Sequence, residues 1–326
     1  MTPVELALID RWQRDFPLVE RPFAAAGHAV GLDEGATIAA FHRLREAGVI
    51  SRIGAVVKPR TIGASTLAAM RVPPERLEAV AAEVSREPLV NHNYERTHAF
   101  NLWFVIAGPD ETAVADTIAR LEARTGLAIL DLPLVEAYHL DLGFPLTGDR
   151  RKRRGAPASS GYVPDALDRR LIAALEDGLP MVAEPFRHVA ERIGVAEAQV
   201  RERLQRLARA GVISRFGCVV RHRALGYTAN AMAVWDLPEE RVAEVARVFA
   251  RHPDVTLCYR RPRRPPDWPY NLFCMVHAKT PADAHAAIDE LNLLADTGLV
   301  PQTVLFSTRC FKQRGAVFSR RTEGVH

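Results

Sequence analysis

The chain has 326 residues, 48% hydrophobic and 25% charged, which is the composition of an ordinary globular protein, and its length suits two or more domains. No apolar stretch approaches the roughly 20 residues of a membrane span, and the first residues lack the basic and apolar regions of a signal peptide. The four cysteines have no CxxC spacing, which favours buried reduced thiols over disulfides or an iron–sulfur site and predicts a cytoplasmic protein. The net charge of +4 and the pI near 9.0 favour an anionic partner.

An internal duplication organises the chain. Residues 47–54 read AGVISRIG, and residues 210–217 read AGVISRFG, 163 positions later. A repeat this long is a tandem duplication, because the repeats of solenoid proteins span about 20–50 residues. Residues that both copies share should hold the fold, and residues present in one copy only are candidates for chemistry.

Each copy begins with a helical region. In the second copy, apolar residues at helical spacing predict helices over 165–175, 186–193 and 196–210, with glycines at two of their ends. An extended segment, 211–220, follows, and the first copy runs the same way. Three short helices and a strand predict winged helix-turn-helix domains, which we assign to 1–58 and 164–221.

The second part of each copy alternates strands and helices in the order β-α-β-β-α-β. In the first copy we predict strands at 65–72, 90–96, 100–107 and 134–140, and helices at 74–85 and 111–125. In the second copy the corresponding segments are 228–235, 238–251, 255–261, 270–277, 281–295 and 303–308. This order is that of the ferredoxin-like sandwich, a four-stranded antiparallel sheet with helices on one face. We assign these α+β domains to 59–146 and 222–326.

Residues 147–163 separate the two copies. They begin with the basic run 150–154 and continue with glycine, proline, serine and alanine. Such a segment has no apolar area to bury, so we predict a flexible, solvated linker. Binding of the basic run to nucleic acid is the less favoured interpretation.

A winged helix joined to a ferredoxin-like domain through a Gly-Val-Ile-x-Arg turn resembles the Lrp/AsnC family of transcription regulators, over nearly all of both copies. The resemblance implies that two ferredoxin-like sheets, here from one chain, pack face to face with effectors bound near their interface. The turn before the third strand departs from the family's Gly-x-Tyr-Asp-like pattern, since residues 97–101 read THAFN and residues 265–271 read PPDWPYN. This departure puts the effector binding of the regulators in doubt.

The strand predicted at 90–96 carries an unusual set of side chains. Strand residues alternate between faces, so His92, Tyr94 and Arg96 share one face, and His98 joins them if the strand persists. An isolated histidine on a half-exposed strand is usually only a surface residue. The convergence of histidine, tyrosine and arginine favours a functional site instead.

The second copy repeats only part of this pattern. Tyr259 and Arg261 occupy the matching positions, and Leu257 replaces the histidine. Guanidinium groups pair carboxylates bidentately, and a dense cationic face is costly to bury without anions. We therefore predict a polycarboxylate ligand, although the arginines from 261 to 264 also suit a solvated loop.

A second basic cluster follows each winged helix, where side chains can either reach the cleft or point to solvent. Its candidate members are Arg52, Lys58, Arg215 and Arg221. His222 lies beside the last of them and aligns with Pro59, so it too occurs in one copy only. We therefore predict an asymmetric cleft, with one histidine from each copy and no metal site.

The third helices are candidates for DNA reading. In the first copy this helix is apolar near its start and follows an acidic segment. The third helix of the second copy is better suited to contact DNA. The second-copy candidates are Gln199, Arg201, Arg203 and Arg206. Unequal halves fit a palindromic operator poorly, so DNA binding is disfavoured but stays open.

Four phrases are similar to those of the siroheme decarboxylases, which share the Lrp/AsnC architecture. They are NHNYER at 91–96, RHRALGY at 221–227, CYRRPR at 258–263 and WPYNLF at 268–273. The chain resembles the fused form of that family. The resemblance implies removal of carbon dioxide from two acetate side chains of siroheme, in the biosynthesis of nitrite-reductase heme or in siroheme-dependent heme synthesis. It implies no flavin, oxidant or separate metal, because the iron tetrapyrrole is the substrate.

Loss of carbon dioxide leaves negative charge on a side-chain carbon, which a general acid must protonate, and histidine suits that task. We expect His92 and His222 to be the catalytic pair, with His98 in reserve. The expected carboxylate-binding residues are Tyr94, Arg96, Tyr259 and Arg261, aided by Arg52, Lys58, Arg215 and Arg221. The alternatives are a DNA-binding regulator with a polyanionic or tetrapyrrole effector and a tetrapyrrole carrier. The oligomeric state stays open, with a further homo-oligomer as one option.

Overall fold

The computed structural model describes residues 1–140 and 161–317. Most of the predicted linker, 147–160, therefore lies outside the described residues. The chain divides into two compact units. Unit 1 comprises Met1–Gly63 and the described part of Gly143–Leu225, and unit 2 comprises the described part of Ala64–Leu142 together with Gly226–Ala316. Each copy thus contributes its helical region to unit 1 and its strand-rich region to unit 2.

The elements follow the duplicated order. The helices of the first copy are α1 (Pro3–Trp12), α2 (Pro22–His28), α3 (Glu34–Glu46), α4 (Leu77–Arg86) and α5 (Glu111–Thr125). Its strands are β1 (Ile50–Val57), β2 (Ala64–Met70), β3 (Val90–Arg96), β4 (Leu102–Gly108), β5 (Leu130–Pro133) and β6 (Glu136–Leu140). The helices of the second copy are α6 (Ala166–Ala174), α7 (Pro185–Ile193), α8 (Glu197–Arg209), α9 (Glu239–Phe249) and α10 (Pro281–Ala295). Its strands are β7 (Ile213–Val220), β8 (Ala229–Trp235), β9 (Val255–Arg260), β10 (Leu272–Ala278) and β11 (Gln302–Gln313).

Local signals explain where the helices of unit 1 begin and end. Thr2 and Asp165 each form a capping box at the start of the first helix of their copy. Gly194 ends α7 in the left-handed conformation, at φ 67°. The sequence-predicted helix-helix-helix-strand order is present in both copies.

The wing strands of unit 1 pair with each other, whereas a winged helix usually forms a hairpin within one copy. Strands β1 and β7 run antiparallel, with Gly54 opposite Gly217. The loop after the first helix of each copy also bonds the strand of the other, since the amide of Leu179 donates to Ile53 O at 2.7 Å and the amide of Phe16 donates to Phe216 O at 3.0 Å. The two helical regions therefore form a single packed unit with one shared hydrophobic core.

Unit 2 is built on one nine-stranded sheet rather than on the two separate four-stranded sheets that the sequence predicted. The strand order is β5-β2-β4-β3-β11-β8-β10-β9-β6. The first part of β11 pairs with β8 of its own copy, and the rest of it pairs with β3 of the first copy. In the first copy the corresponding strand is split, so β5 pairs with β2, and β6 crosses to β9. Because β5 and β6 form opposite edges of the sheet and adjoin in sequence, the sheet returns on itself.

The two faces of this sheet pack differently. The helices of each copy cover one face and form two clusters with it, one per copy. The other face, which we call the interior face, carries a third cluster drawn from both copies, including Trp103, Met232, Phe273 and Leu305. No helix in the described ranges combines the length and hydropathy that a membrane span requires.

The cysteine prediction was correct for three of the four residues. Cys218, Cys258 and Cys274 are buried free thiols. Cys310 is exposed, because β11 extends beyond the predicted segment and carries it along the added part of the strand.

Candidate functional site

The interior face of unit 2 carries the histidine and tyrosine that the sequence singled out on β3. Tyr94 lies opposite the interior residue Trp103, and His92 lies opposite Val105, so both side chains belong to this face. Asn93, between them, points to the helices and donates to Ala81 O at 3.0 Å. The predicted alternation of this strand is therefore present.

His92 and Tyr94 form a stacked pair. Their ring centroids lie 6.0 Å apart with an interplanar angle of 14°. The Tyr94 hydroxyl lies 3.4 Å from Nδ1 of His92. Both side chains are half-buried, so the imidazole lies at the boundary of the apolar interior.

The two Tyr-x-Arg arginines occupy equivalent places in the two copies. Nη1 of Arg96 donates to Leu305 O at 3.0 Å, and Nη1 of Arg261 donates to Leu132 O, so each arginine bonds a strand of the other copy. Each guanidinium also lies over the tyrosine two residues before it, with the carbon 5.9 Å from the ring centroid in the first copy and 5.3 Å in the second.

Arg261 lies in a strongly desolvated place. Burial lowers its pKa to about 10, against the opposing influence of Tyr259 and Asp131. Its Nε is buried and has no hydrogen-bond partner among the described residues. Burial also raises the pKa of the Tyr259 hydroxyl, which keeps the phenol neutral. An anion placed beside this guanidinium would offset the cost of burying its charge and would offer Nε a hydrogen-bond acceptor.

The arginines beyond Arg261 behave differently. Arg263 is held by Asp236 and Glu239, with Nη2 at 2.6 Å and Nη1 at 2.5 Å from their carboxylate oxygens. Arg264 is exposed. The solvated-loop interpretation therefore suits position 264, whereas position 261 belongs to the interior.

His98 does not continue the strand face, because β3 ends at Arg96. Its Nδ1 accepts the Phe100 amide at 3.0 Å, and its ring lies 5.6 Å from Trp268. Burial, with a smaller influence of Arg71, lowers its pKa from 6.5. In the neutral ring the proton therefore lies on Nε2, and the lowered pKa disfavours the imidazolium form that a general acid needs.

Sequence reasoning missed a buried polar chain that starts at Arg96. Nη2 of Arg96 donates to Asn230 Oδ1 at 3.3 Å, and the Asn230 amide nitrogen lies 2.9 Å from His277 Nε2. The other ring nitrogen of His277 lies 2.9 Å from Thr256 Oγ1, which donates to Met275 O at 3.1 Å. The side chains of Asn230, His277 and Thr256 are all at least nine-tenths buried. The signal available in the sequence was that asparagine and histidine occur at these two positions in the second copy only, where the first copy has Ser65 and Ala107.

The remaining predicted basic residues belong to unit 1. Arg52 donates to Ala55 O at 3.3 Å, and Arg215 donates to Gln13 O at 3.2 Å, where α1 ends. Burial lowers the pKa of Arg52, and its Nε has no hydrogen-bond partner among the described residues. These contacts brace the shared β-ribbon, and a role in ligand binding stays a prediction.

The last predicted members of the site follow the wing strands. Lys58 is half-buried and Arg221 is exposed, and their backbone amides bond the opposite copy at Val212 and Val49. His222 begins a short 3-10 turn, His222–Leu225, and its side chain lies outside the described part of the structure. In the described ranges no group of three or more histidine, cysteine, aspartate or glutamate side chains is placed to hold a metal ion.

The α8 arginines that were candidates for DNA contact form ion pairs with carboxylates of unit 1. Arg203 lies 2.8 Å from Asp168, which is fully buried, and Arg206 lies 3.5 Å from the same carboxylate. Arg201 pairs with Glu20 at 3.1 Å. These ion pairs reduce the positive charge that the helix can offer to phosphates.

Two family models match the chain, each in both copies. The AsnC-like ligand binding domain matches residues 62–139 and 224–312. The siroheme decarboxylase NirDL-like HTH domain matches residues 5–50 and 168–213. The two models correspond to the strand-rich and helical regions described above, so the tandem Lrp/AsnC-like architecture is confirmed.

Several relatives align with this chain over nearly its whole length. The siroheme decarboxylase NirDL subunit of Paracoccus denitrificans is 47% identical over 323 residues, which cover 98% of each chain. The siroheme decarboxylase of Hydrogenobacter thermophilus is 34% identical over 92% of this chain and 90% of its own. A crystal structure of the siroheme decarboxylase NirDL in complex with an iron-uroporphyrin III analogue superposes with a TM-score of 0.68 at 30% identity, covering 96% of this chain and 94% of that one.

Proposed function

The chain belongs to the siroheme decarboxylase family, and on that premise we propose that it removes carbon dioxide from two acetate side chains of siroheme to give didecarboxysiroheme. The observation that carries the proposal is the 47% identity to a siroheme decarboxylase subunit over 98% of both chains. In this proposal the protein is a carboxy-lyase of tetrapyrrole biosynthesis, and the iron tetrapyrrole is its substrate, with no further cofactor.

The charges of unit 2 support a polycarboxylate substrate. Arg96 and Arg261 project from equivalent positions of the two copies, and each is stacked on its own tyrosine. Siroheme carries eight carboxylates, so it can bridge cationic groups that lie far apart. The desolvated guanidinium of Arg261 gains most from such an anion, because burial disfavours its charge and a carboxylate offsets that cost.

The reaction needs one proton for each acetate. The bond between the acetate methylene carbon and its carboxylate breaks, carbon dioxide leaves, and the electron pair stays on the methylene carbon, where the macrocycle delocalises it. A general acid then protonates that carbon to give a methyl group. No oxidant or reductant enters this balance.

We assign the proton-donor role to His92 and His222, one histidine from each copy and one for each acetate. The stacked and half-buried position of His92 supports this role. The lowered pKa of His98 and the engagement of its Nδ1 by the Phe100 amide make it the weaker candidate. The four unit 1 cations at positions 52, 58, 215 and 221 are proposed to assist substrate binding.

The DNA-binding alternative is not favoured. The full-length relatives are siroheme decarboxylases, and the α8 arginines at 201, 203 and 206 are paired with carboxylates. A carrier that binds siroheme without changing it is distinguished by the experiment below.

The test is anaerobic incubation of the purified protein with siroheme, followed by mass spectrometry. We expect loss of two carbon dioxide units, abolished by boiling. His92→Ala and His222→Ala should each slow the reaction by about 100-fold or more, the usual contribution of a general acid. His188→Ala, which removes an exposed histidine from α7, is the matched control and should leave the rate unchanged.

If the protein binds siroheme tightly and leaves its mass unchanged, the protein is a carrier and not an enzyme. Wild-type rates in the variants of positions 92, 98 and 222 would end the histidine assignment while leaving the decarboxylase intact.

A further inference from the structure

The buried chain that begins at Arg96 admits only one arrangement of its hydrogen atoms. A guanidinium can only donate, so Asn230 accepts through Oδ1 and must donate through its amide nitrogen. Nε2 of His277 is therefore an acceptor, and Nδ1 carries the proton that goes to Thr256 Oγ1. The hydroxyl proton of Thr256 in turn goes to Met275 O. Every link points the same way, which fixes His277 as the neutral Nδ1–H tautomer.

The hydrogen-bonded side chains of this buried polar chain lie on the interior face of unit 2. Asn230 is two residues from Met232, a member of the interior cluster, and His277 lies opposite Asn230 in the pairing of β8 with β10. The two side chains therefore share the face on which Tyr94 and the interior cluster lie. Their partner Arg96 is itself buried, with 6% of its surface exposed, so its orientation is set by these contacts rather than by solvent.

The equivalent place in the other copy is built differently. Ser65 and Ala107 pair in β2 and β4 where Asn230 and His277 pair in β8 and β10. Neither can form the same chain, since alanine has no polar atom and serine is too short to bridge as asparagine does. Arg261, the counterpart of Arg96, correspondingly retains a buried Nε without a partner among the described residues.

We propose that His277, acting through Asn230, is a positioning residue that fixes the plane of the Arg96 guanidinium for a substrate carboxylate. The proposal rests on the proposed function, in which Arg96 holds one carboxylate of siroheme. Leu305 O and Asn230 Oδ1 hold Nη1 and Nη2, and together they fix the direction from which a carboxylate meets the guanidinium. The Arg96 end of the interior is thus preorganised, whereas the Arg261 end adapts to its ligand.

His277 is not placed to act as the general acid. Its Nδ1 proton is directed at Thr256 and its Nε2 accepts from Asn230, so a proton donated elsewhere would break the chain at both sides. Its role is instead to keep the Asn230 side-chain amide from turning over. A turned amide would direct its NH2 group at Arg96, donor against donor.

The test uses substitutions that separate these roles. Glutamine offers one acceptor and one donor, as the neutral Nδ1–H imidazole does, and it cannot serve as a general acid near neutral pH. His277→Gln should therefore keep the chain, and His277→Ala should break it. Ser65→Ala, at the position equivalent to Asn230, is the matched control. Siroheme binding is measured by absorbance titration, and turnover is measured by mass spectrometry.

We expect His277→Ala to raise the Kd for siroheme about tenfold, the size of one lost charge-assisted hydrogen bond. His277→Gln and Ser65→Ala should stay within about threefold of the wild type, and the pH profile of kcat should be unchanged in His277→Gln. Wild-type affinity in His277→Ala, or equal damage in the alanine and glutamine variants, would overturn the proposal.

A spectroscopic measurement keeps the proposal testable if a variant folds poorly. In the 15N-histidine-labelled wild type, His277 should give the signature of a neutral ring protonated on Nδ1. Asn230→Asp places an acceptor opposite Nε2, so a proton should appear there. An Nε2–H tautomer in the wild type would refute the chain. Because the NMR and binding measurements need no turnover, failure of the decarboxylase assignment would be seen separately, as siroheme of unchanged mass.

Discussion

Replacement of Arg261 by methionine tests whether this guanidinium is held for a ligand or for the fold. Lowering its pKa to about 10 corresponds to about 3 kcal/mol against the charged form. The side chain is half-buried, so solvent screening makes this an upper limit. The unfolded chain binds this proton more tightly, so the penalty is fully present below about pH 10 and is relieved only as the pH rises further.

The same substitution also removes favourable contacts. The hydrogen bond to Leu132 O contributes about 2 kcal/mol, and the contact with the Tyr259 ring contributes about 1 kcal/mol. Gain and loss nearly cancel, so Arg261→Met should change the free energy of unfolding of the ligand-free protein by no more than about 1 kcal/mol. It should nevertheless weaken siroheme binding strongly, because it removes a cation that a carboxylate would pair.

Arg96→Met is the matched comparison, since the two arginines occupy equivalent positions. Arg96 satisfies two buried acceptors, Leu305 O and Asn230 Oδ1. The substitution leaves both without this donor, which should cost about 3–5 kcal/mol. Arg96→Met should therefore lower the free energy of unfolding much more than Arg261→Met does, although the two arginines occupy equivalent positions.

Urea unfolding of the ligand-free variants, followed by tryptophan fluorescence, measures this difference. Three of the four tryptophans, Trp103, Trp235 and Trp268, are buried in unit 2 and report its unfolding. Siroheme titration of the same samples gives the binding loss. Equal destabilisation by the two substitutions, together with unchanged siroheme affinity in Arg261→Met, would refute the reasoning and make both guanidiniums structural.

Two further predictions concern unit 1. A Cβ added to Gly217 would lie 2.5 Å from Gln13 O, whereas a Cβ added to Gly54, its partner in the β-ribbon, would lie 3.5 Å from its nearest atom. Gly217→Ala should therefore lower the free energy of unfolding by about 2 kcal/mol or more, and Gly54→Ala should lower it by much less. Thermal unfolding of the two variants measures the difference. Arg203→Ala removes a 2.8 Å ion pair from the fully buried Asp168 and should cost about 2 kcal/mol in urea unfolding. Siroheme turnover after Arg203→Ala should match the wild type below the unfolding transition, and a loss of turnover without a loss of stability would contradict this placement.

The repeating part of the fold could be read from local pattern. The sequence predicted β3 and α5 with their observed bounds, because alternation and amphipathic spacing are local signals. The exchange of the last strands was not predictable in this way. The polar end of β11, from Arg309 to Gln313, becomes a strand only because β3 of the other copy pairs with it. The choice of pairing partner is a tertiary property, and local alternation does not encode it.

The candidate site was predictable to a similar extent. Alternation placed His92 and Tyr94 correctly on one face, and comparison of the copies drew attention to Tyr-x-Arg. The condition set for His98, that the strand persists, is not met, because β3 ends at Arg96. His277 was passed over as an ordinary strand histidine. The role of His277 depends on the side chain opposite it in the sheet. That side chain is Asn230, which can be identified only from the register of β8 and β10.

The duplication explains why the two ends of the interior can differ. Each copy supplies a strand to the half-sheet of the other, so the interior face is always built from both copies. In a symmetric homodimer of single copies, any residue introduced at one end of the face would appear at the other end as well. A chain that contains both copies is free of that constraint, and here Asn230 and His277 stand at one end while Ser65 and Ala107 stand at the other. The proposed substrate would therefore meet different side chains at the two ends of the interior face.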